Sequence, residues 1–340
     1  MTRLWIVTGA SGFVGSRLVR ELVDRGERVR VLLRSGRHPS SLHGLDVERV
    51  EGDVRDLDAL VRAFSGDPDG AGPADAAPPA PAGTIVVHAA GRISIDDGDD
   101  PLLEAVNVAG TANVVAACRA VGAARLVHVS SVHAIPEPAD GGPIREVEPF
   151  DPALVDGPYA ESKAAGSAIA IAATDLDPVL VHPSGVIGPG DPGDGNLTRL
   201  VREAVAGRLP ATVPGGYDFV DVRDLADGII RAAERGRGGR AYLLTGAFAE
   251  IADVVARAAR RAGRRPPPRV PIALARWWAP VSGWFARRQG RAPLFTAYSL
   301  RTLGANGRFD RSRAETELGW RPRPLADTID DTVDWVRVHG

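Results

Sequence analysis

Leu4 to Thr8 is a short run of apolar β-formers that breaks into Gly9-Ala-Ser-Gly12-Phe-Val-Gly15, after which a segment of helical period continues to about Arg25. No other stretch limits the fold as strongly. Glycines at this spacing allow a tight turn and a close backbone approach, and the free N–H groups and positive dipole end of the following helix suit a pyrophosphate. A glycine trio alone is common, and the strand before it and the helix after it are what make it a dinucleotide fingerprint. The pattern predicts a dinucleotide cradle built from Gly9, Ser11, Gly12, Phe13, Val14 and Gly15.

The same alternation recurs downstream. Strand-type runs at Arg28–Leu33, Val47–Glu51, Thr84–His88, Arg125–Val129 and Pro178–Val181 alternate with helical patterns at Leu57–Phe64, from Asn107 to Val121, and after Pro158. Strands and helices alternating at these lengths imply right-handed crossovers and a parallel sheet wound on both faces. The expected fold is therefore α/β, a Rossmann-type doubly wound parallel sheet with a smaller, mostly helical C-terminal substrate lobe. Residues 1–182 form the dinucleotide domain, to which 216–248 return, and 183–215 with 249–340 form the lobe. Within the returning segment Tyr217–Asp224 reads as a strand, Leu225–Arg235 as a helix and Arg240–Thr245 as a late strand. Residues 66–83 hold only Gly, Pro, Ala and Asp, too little apolar surface to offset the entropy of ordering, so a mobile and dispensable insertion is expected there.

Residues at strand ends carry the cofactor reading. Nineteen residues beyond Gly15, where an acid would accept a ribose 2′-hydroxyl, stands Arg34, with Arg37 close behind. An arginine there suits a 2′-phosphate, which favours NADP over NAD. Gly52-Asp53-Val54 follows the third strand, with Asp53 placed to contact adenine or to cap the turn. Ala89, Ala90 and Gly91 are small enough for a cofactor to approach closely, and His88 reads as a structural strand-end residue.

One further stretch stands out by scarcity. Of 41 Lys and Arg residues a single one is lysine, Lys163, four residues after Tyr159, one of four tyrosines. On a helix, i and i+4 share a face, so phenol and ammonium point into the same space. Lysine is a compact ammonium able to sit beside a titrating group, as a guanidinium fork is not.

Composition narrows the partners. A formal charge of −2 without long like-charge blocks leaves no footprint for nucleic acid, and Arg260 to Arg265 reads as a solvated helix end. The one cysteine, Cys118, lies in a helical apolar pattern and reads as core, so neither a disulfide nor a cysteine metal cluster is expected, and no metal site is assigned. The chain runs directly into its first strand, so no signal peptide is expected, and no apolar run of 18 residues stands out. A cytoplasmic location is expected, with a small-molecule partner. The oligomeric state is not legible.

Taken together, TGASGFVG (8–15), GDVRD (52–56), HAAG (88–91), VNVAGTANVV (106–115), HVSS (128–131), YAESK (159–163), HPSGVIGPGD (182–191) and DFVDVRDLADG (218–228) resemble the extended short-chain dehydrogenase/reductase family. The nearest branch is the dihydroflavonol-reductase-like and 3β-hydroxysteroid-dehydrogenase-like one, which PLFTAYSLRTL (293–303) and ELGWRPRPLADTIDDTVDW (317–335) also resemble. The resemblance implies a Ser-Tyr-Lys site at Ser131, Tyr159 and Lys163, with Ser130 the competing serine. It gives Tyr159 the proton exchanged with the substrate oxygen, Lys163 the lowering of the phenol pKa and the nicotinamide ribose, and Ser131 the hold on the substrate oxygen. It also implies that Pro183 to Val186 line the nicotinamide amide and that Asn107 supports the site. His133 is either substrate-facing or a strand-exit residue.

The chain also departs from the pattern. Pro136 stands where dihydroflavonol reductases carry a substrate-binding Asn, which argues against a flavonoid. Pro271 to Phe285 holds three of the six tryptophans and reads either as packing of the substrate lobe or, with its flanking arginines, as a peripheral membrane contact over 271–288. The principal expectation is an NADP-dependent oxidoreductase acting on a ketone, aldehyde or alcohol of a hydrophobic small molecule. An epimerase or dehydratase that keeps its cofactor is the alternative enzyme class, and a dinucleotide sensor, which would not need the Tyr-Lys pair, the non-enzymatic one.

Overall fold

The computed structural model describes residues 3–37, 39–68, 74–93, 100–193, 195–271 and 306–339. The peripheral-membrane reading of 271–288 falls, apart from Pro271, outside the described residues, as does 293–303.

Short runs of four to six residues, most of them rich in apolar side chains, become the strands of a seven-stranded, wholly parallel sheet. Its strands are β1 (Leu4–Thr8), β2 (Arg28–Leu33), β3 (Glu48–Glu51), β4 (Ile85–His88), β5 (Arg125–Val129), β6 (Val179–Pro183) and β9 (Arg240–Leu244), in the order β3-β2-β1-β4-β5-β6-β9. β1, β4 and β6 are buried at every position, as strands covered on both faces must be. The order reverses between β1 and β4, and such a switch point opens the crevice in which these sheets hold ligands.

Two apolar layers cover the sheet. On one face α1 (Phe13–Asp24) and α6 (Val222–Arg235) bury Leu18, Leu22, Ile229 and Ile230 against Val7, Val31 and Val181. On the other, α2 (Leu57–Phe64), α3 (Pro101–Val121) and α4 (Pro158–Ile171) pack over Ile6, Val86, Leu126 and Leu180, with Cys118 buried among them. α3 begins six residues before the expected Asn107, with Asp100 as its N-cap and Pro101 in its first turn. By length and a mean hydropathy of 1.3 this helix could cross a membrane, contrary to the reading that no such run exists; here it packs against α2 and α4.

The helix and late strand of the returning segment join the large sheet, but its first strand does not. β8 (Gly216–Asp221) does not rejoin the large sheet but pairs with β7 (Gly185–Ile187) and β10 (Ala247–Glu250) in a three-stranded sheet. Asp221 caps α6 by accepting the Arg223 N–H, so the strand ends three residues earlier than read. Strand alternation identifies a strand but not its partner. Around this sheet α5 (Asn196–Ala206), α7 (Ile251–Arg261) and α8 (Leu325–His339) enclose a separate core with Leu200, Val255 and Val333.

The alanine- and proline-rich insertion is tethered along its described part. Gly66 N–H donates to Pro78 O and Ala80 N–H to Val121 O, while Ala74, Ala77 and Ala80 pack onto the α2/α3 layer. Small side chains thus leave the backbone close enough to its neighbours to bond, which composition alone did not suggest.

β9 is an edge strand, and two carboxylates occupy its outward N–H groups: Glu148 accepts Ala241 N–H at 2.9 Å and Glu146 accepts Leu243 N–H at 3.0 Å. Arg313 lies over both acids and also donates to Ala241 O.

Candidate active site

The glycine turn is shaped by what surrounds it. Gly9 has φ +72°, and a Cβ there would lie 2.5 Å from Ala90 N, while one on Gly15 would lie 2.2 Å from Gly9 O. Turn, β4 exit and first turn of α1 therefore pack backbone to backbone, and Ser11 and Gly12 remain exposed above them. This is a cradle that only glycine permits, and its shape and free N–H groups fit a pyrophosphate. Phe13 and Val14 open α1, half-buried beside it.

Arg34 is exposed at the end of β2, and among the described residues its guanidinium has no hydrogen bond or ion pair. Asp53 is less available than expected: Arg55 holds its carboxylate with two guanidinium bonds of 2.9 and 2.8 Å and a backbone N–H, which keeps its pKa below the ordinary value. Val54 is buried beside it under Gly110.

α4 carries Tyr159 and Lys163 on one face. Lys163 is 5% exposed, and its Nζ donates to Val129 O at 3.0 Å. A Cβ on Gly91 would sit 3.7 Å from that Nζ and 3.5 Å from Asn107 Oδ1, so the lysine, the β4 exit and Asn107 meet at one point. Burial pulls the ammonium down to about 8. His133 packs edge-on against the Tyr159 ring, with centroids 5.9 Å apart, and burial depresses its pKa.

The two serines separate. Ser130 Oγ is 2.6 Å from Ser167 Oγ, which donates to Lys163 O, so Ser130 fastens β5 to α4. Ser131 Oγ accepts only His133 N–H, at 3.3 Å, and its own proton is uncommitted among the described residues. Pro183 and Ser184 are buried and Val186 half-buried at the β6–β7 exit, on the same edge.

Asn107 lies in a π-turn, Glu104–Ala109, within α3. Its Oδ1 accepts Arg92 N–H at 2.8 Å, and its Nδ2 donates to Arg92 O and to Ser162 Oγ, both at 3.0 Å. Ser162 in turn donates to Tyr159 O. The amide thus ties the loop after Gly91 to the turn that presents the tyrosine. Asn107→Ala should lower stability by about 2 kcal/mol, because buried partners lose their bonds. Urea unfolding checks this, and an unchanged midpoint would show the clamp to be dispensable.

Sequence reading took His88 singly and passed over two others, although HAAG, HVSS and HPSG all open on a histidine at a strand end. His88, His128 and His182 lie on one sheet face, each at most 2% exposed, with the His88 and His128 rings 5.3 Å apart. Thr111 donates its single hydroxyl proton to Asn107 O, so it can only accept from His88 Nε2. His88 Nδ1 then accepts from Thr8, whose oxygen takes Ala90 N–H. His88 is thereby fixed as the neutral Nε2–H tautomer, and burial holds its pKa at about 3. Both ring nitrogens of His128 and of His182 lack a protein partner among the described residues.

The model of the NAD dependent epimerase/dehydratase family matches residues 5–244, which include every strand of the large sheet except the first residue of β1. The chain belongs to this family. As a family member it is an NAD(P)-dependent oxidoreductase, and the resemblance to extended short-chain dehydrogenases is borne out. Over 98% of both chains it is 33% identical to sterol demethylase protein B of Methylococcus capsulatus. It is 30% identical to UDP-glucose 4-epimerase of Mycolicibacterium smegmatis over 98% of both. The crystal structure of gox2253 superposes with a TM-score of 0.81 at 31% identity, covering 100% of this chain and 99% of that one. Among the described residues no cluster of His, Cys, Asp or Glu is arranged to hold a metal ion.

Proposed function

We propose that this family member is an NADP-dependent reductase or dehydrogenase that interconverts a ketone and an alcohol on a hydrophobic, sterol-like small molecule, with Ser131, Tyr159 and Lys163 as its catalytic residues. The observation that carries this reading is the buried Lys163 ammonium, held by Val129 O against Gly91 on the helix that bears Tyr159. A bound nicotinamide supplies the hydride for reduction and takes it for oxidation.

The residues of the chain divide the remaining work. Gly9, Ser11, Gly12 and Gly15 hold the pyrophosphate by backbone, Arg34 meets the 2′-phosphate, and Val54 with Asp53 borders the adenine. Ala89, Ala90, Gly91, Pro183 and Val186 border the nicotinamide side. Tyr159 gives its phenolic proton to the carbonyl oxygen during reduction and accepts the alcohol proton, as phenolate, during oxidation. An unperturbed phenol near ~10 holds its proton too tightly for that second role at neutral pH, and a cation on the same helix face lowers it. Lys163 is that cation, and Ser131, with an uncommitted hydroxyl proton, stabilises charge gathering on the substrate oxygen.

The sterol-like substrate class is supported by full-length similarity to sterol demethylase protein B. Full-length similarity to a UDP-glucose 4-epimerase supports a second reading, in which the cofactor stays bound and is regenerated each cycle. Purified protein decides between them. Consumption of added NADPH in step with reduction of a 3-ketosteroid supports the reductase, whereas tightly retained cofactor with no net consumption overturns it. Arg34→Asp should reverse the preference for NADPH over NADH by at least about tenfold in kcat/KM, since a carboxylate repels the phosphate and accepts a ribose hydroxyl. An unchanged ratio would reduce Arg34 to a solvated surface charge.

A further inference from the structure

The turn after β2 already holds an anion, and that anion belongs to the protein. Glu51, the last residue of β3, accepts the Ser35 hydroxyl at 2.9 Å through Oε2 and the Gly36 N–H at 3.4 Å through Oε1. Arg34-Ser35-Gly36-Arg37 is closed by a 3.0 Å bond from Arg37 N–H to Arg34 O, and Gly36 has φ +69°. Two guanidinium groups, a hydroxyl and an outward N–H within four residues have the donor chemistry of a phosphate site. A carboxylate occupies two of those donors.

The acids beside Arg34 are not equivalent. Asp53 is neutralised by Arg55 through three bonds, whereas Glu51 has no basic partner among the described residues. Its charge has no ion-pair partner among the described residues where the second strand reads the adenosine ribose. A ribose 2′-hydroxyl can donate to such a carboxylate. A 2′-phosphate is repelled by it and gains Ser35 and Gly36 only after the carboxylate leaves.

We propose that Glu51 is a specificity-determining residue that opposes Arg34, holding down the affinity for a 2′-phosphorylated dinucleotide by occupying the β2 turn. This rests on the reading of the site as an NAD(P) site with its adenosine ribose at the end of β2. Arg34 and Glu51 then pull preference in opposite directions, and the ratio of the two affinities is set by both.

The test measures Kd for NADPH and NADH by fluorescence titration in the wild type, Glu51→Gln and Arg34→Asp. Gln keeps the size and one acceptor while removing the charge. Glu51→Gln should raise Kd(NADH)/Kd(NADPH) about five- to tenfold, through tighter NADPH binding, and the gain should shrink at ~0.5 M salt, as a charge effect must. A ratio within twofold of wild type, or a gain that salt leaves intact, overturns the proposal. Failure of the NADP reading is seen separately: it requires the wild type to prefer NADH and Arg34→Asp to leave the ratio unchanged. Glu51→Gln is scored from whichever baseline the wild type sets.

Discussion

Tyr159→Phe should lose ketone reduction by a factor of ~10²–10⁴ in kcat, the usual contribution of a positioned proton donor, while NADPH affinity stays within about twofold. The ring packs against His133, and phenylalanine keeps that edge contact, so the change removes the hydroxyl and little else. Pre-steady-state hydride transfer, followed by NADPH absorbance, should fall as far as kcat. Near-normal turnover would remove the tyrosine from the chemistry. Lys163→Arg belongs to the same experiment. At 5% exposure, against Val129 O and with Gly91 in contact distance, the pocket fits an ammonium and excludes a guanidinium, so turnover should drop even though charge is kept. Burial lowers the lysine from 10.5 to about 8. The cost of its charge is therefore present in full below pH 8 and fades as pH rises toward the unfolded-state value. Lys163→Met should accordingly be inactive yet no less stable than wild type at pH 7.

Acid should unfold this protein early. Burial, with the Lys163 charge adding to it, pushes His88 and His182 down to about 3 and holds His128 well below the ordinary imidazole value of 6.5. The unfolded chain binds these protons near pH 6.5, so the fold is fully favoured above that value and loses stability as pH falls below it. By pH 5 each ring removes on the order of 2 kcal/mol, and the three together approach the whole stability of a typical domain. Urea midpoints measured from pH 8 to pH 4 should fall steeply below about pH 6.5, with His128→Leu reducing the slope. A flat profile down to pH 5 would mean that the rings are protonated in the fold.

Much of this was legible because it is local. The Gly9 to Gly15 turn, the strand-end positions of Arg34 and Ser131 and the four-residue step from Tyr159 to Lys163 are written in consecutive residues, and a dinucleotide fold follows from them. The start of α3 is local too, since Asp100-Pro101 is a capping pair that precedes the periodic pattern from Asn107. The rest depends on which segments meet. β8 pairs outside the large sheet, Glu51 reaches across to the next strand's turn, and three histidines from three strands share one layer, and none of these has a signature within a single stretch. The separation of Ser130 from Ser131 likewise waited on Ser167, thirty-seven residues away.

The carboxylates along β9 have a consequence for association. A parallel sheet that ends in an open strand can be continued by another copy, residue for residue, into a ribbon. Here Glu146 and Glu148 hold the N–H groups that such a ribbon would need, and Arg313 covers both the acids and a neighbouring carbonyl. At the opposite end β3 is four residues long and carries Glu48 and Glu51. Any assembly of this protein is therefore expected to join through helices and loops, leaving each copy's sheet complete in itself.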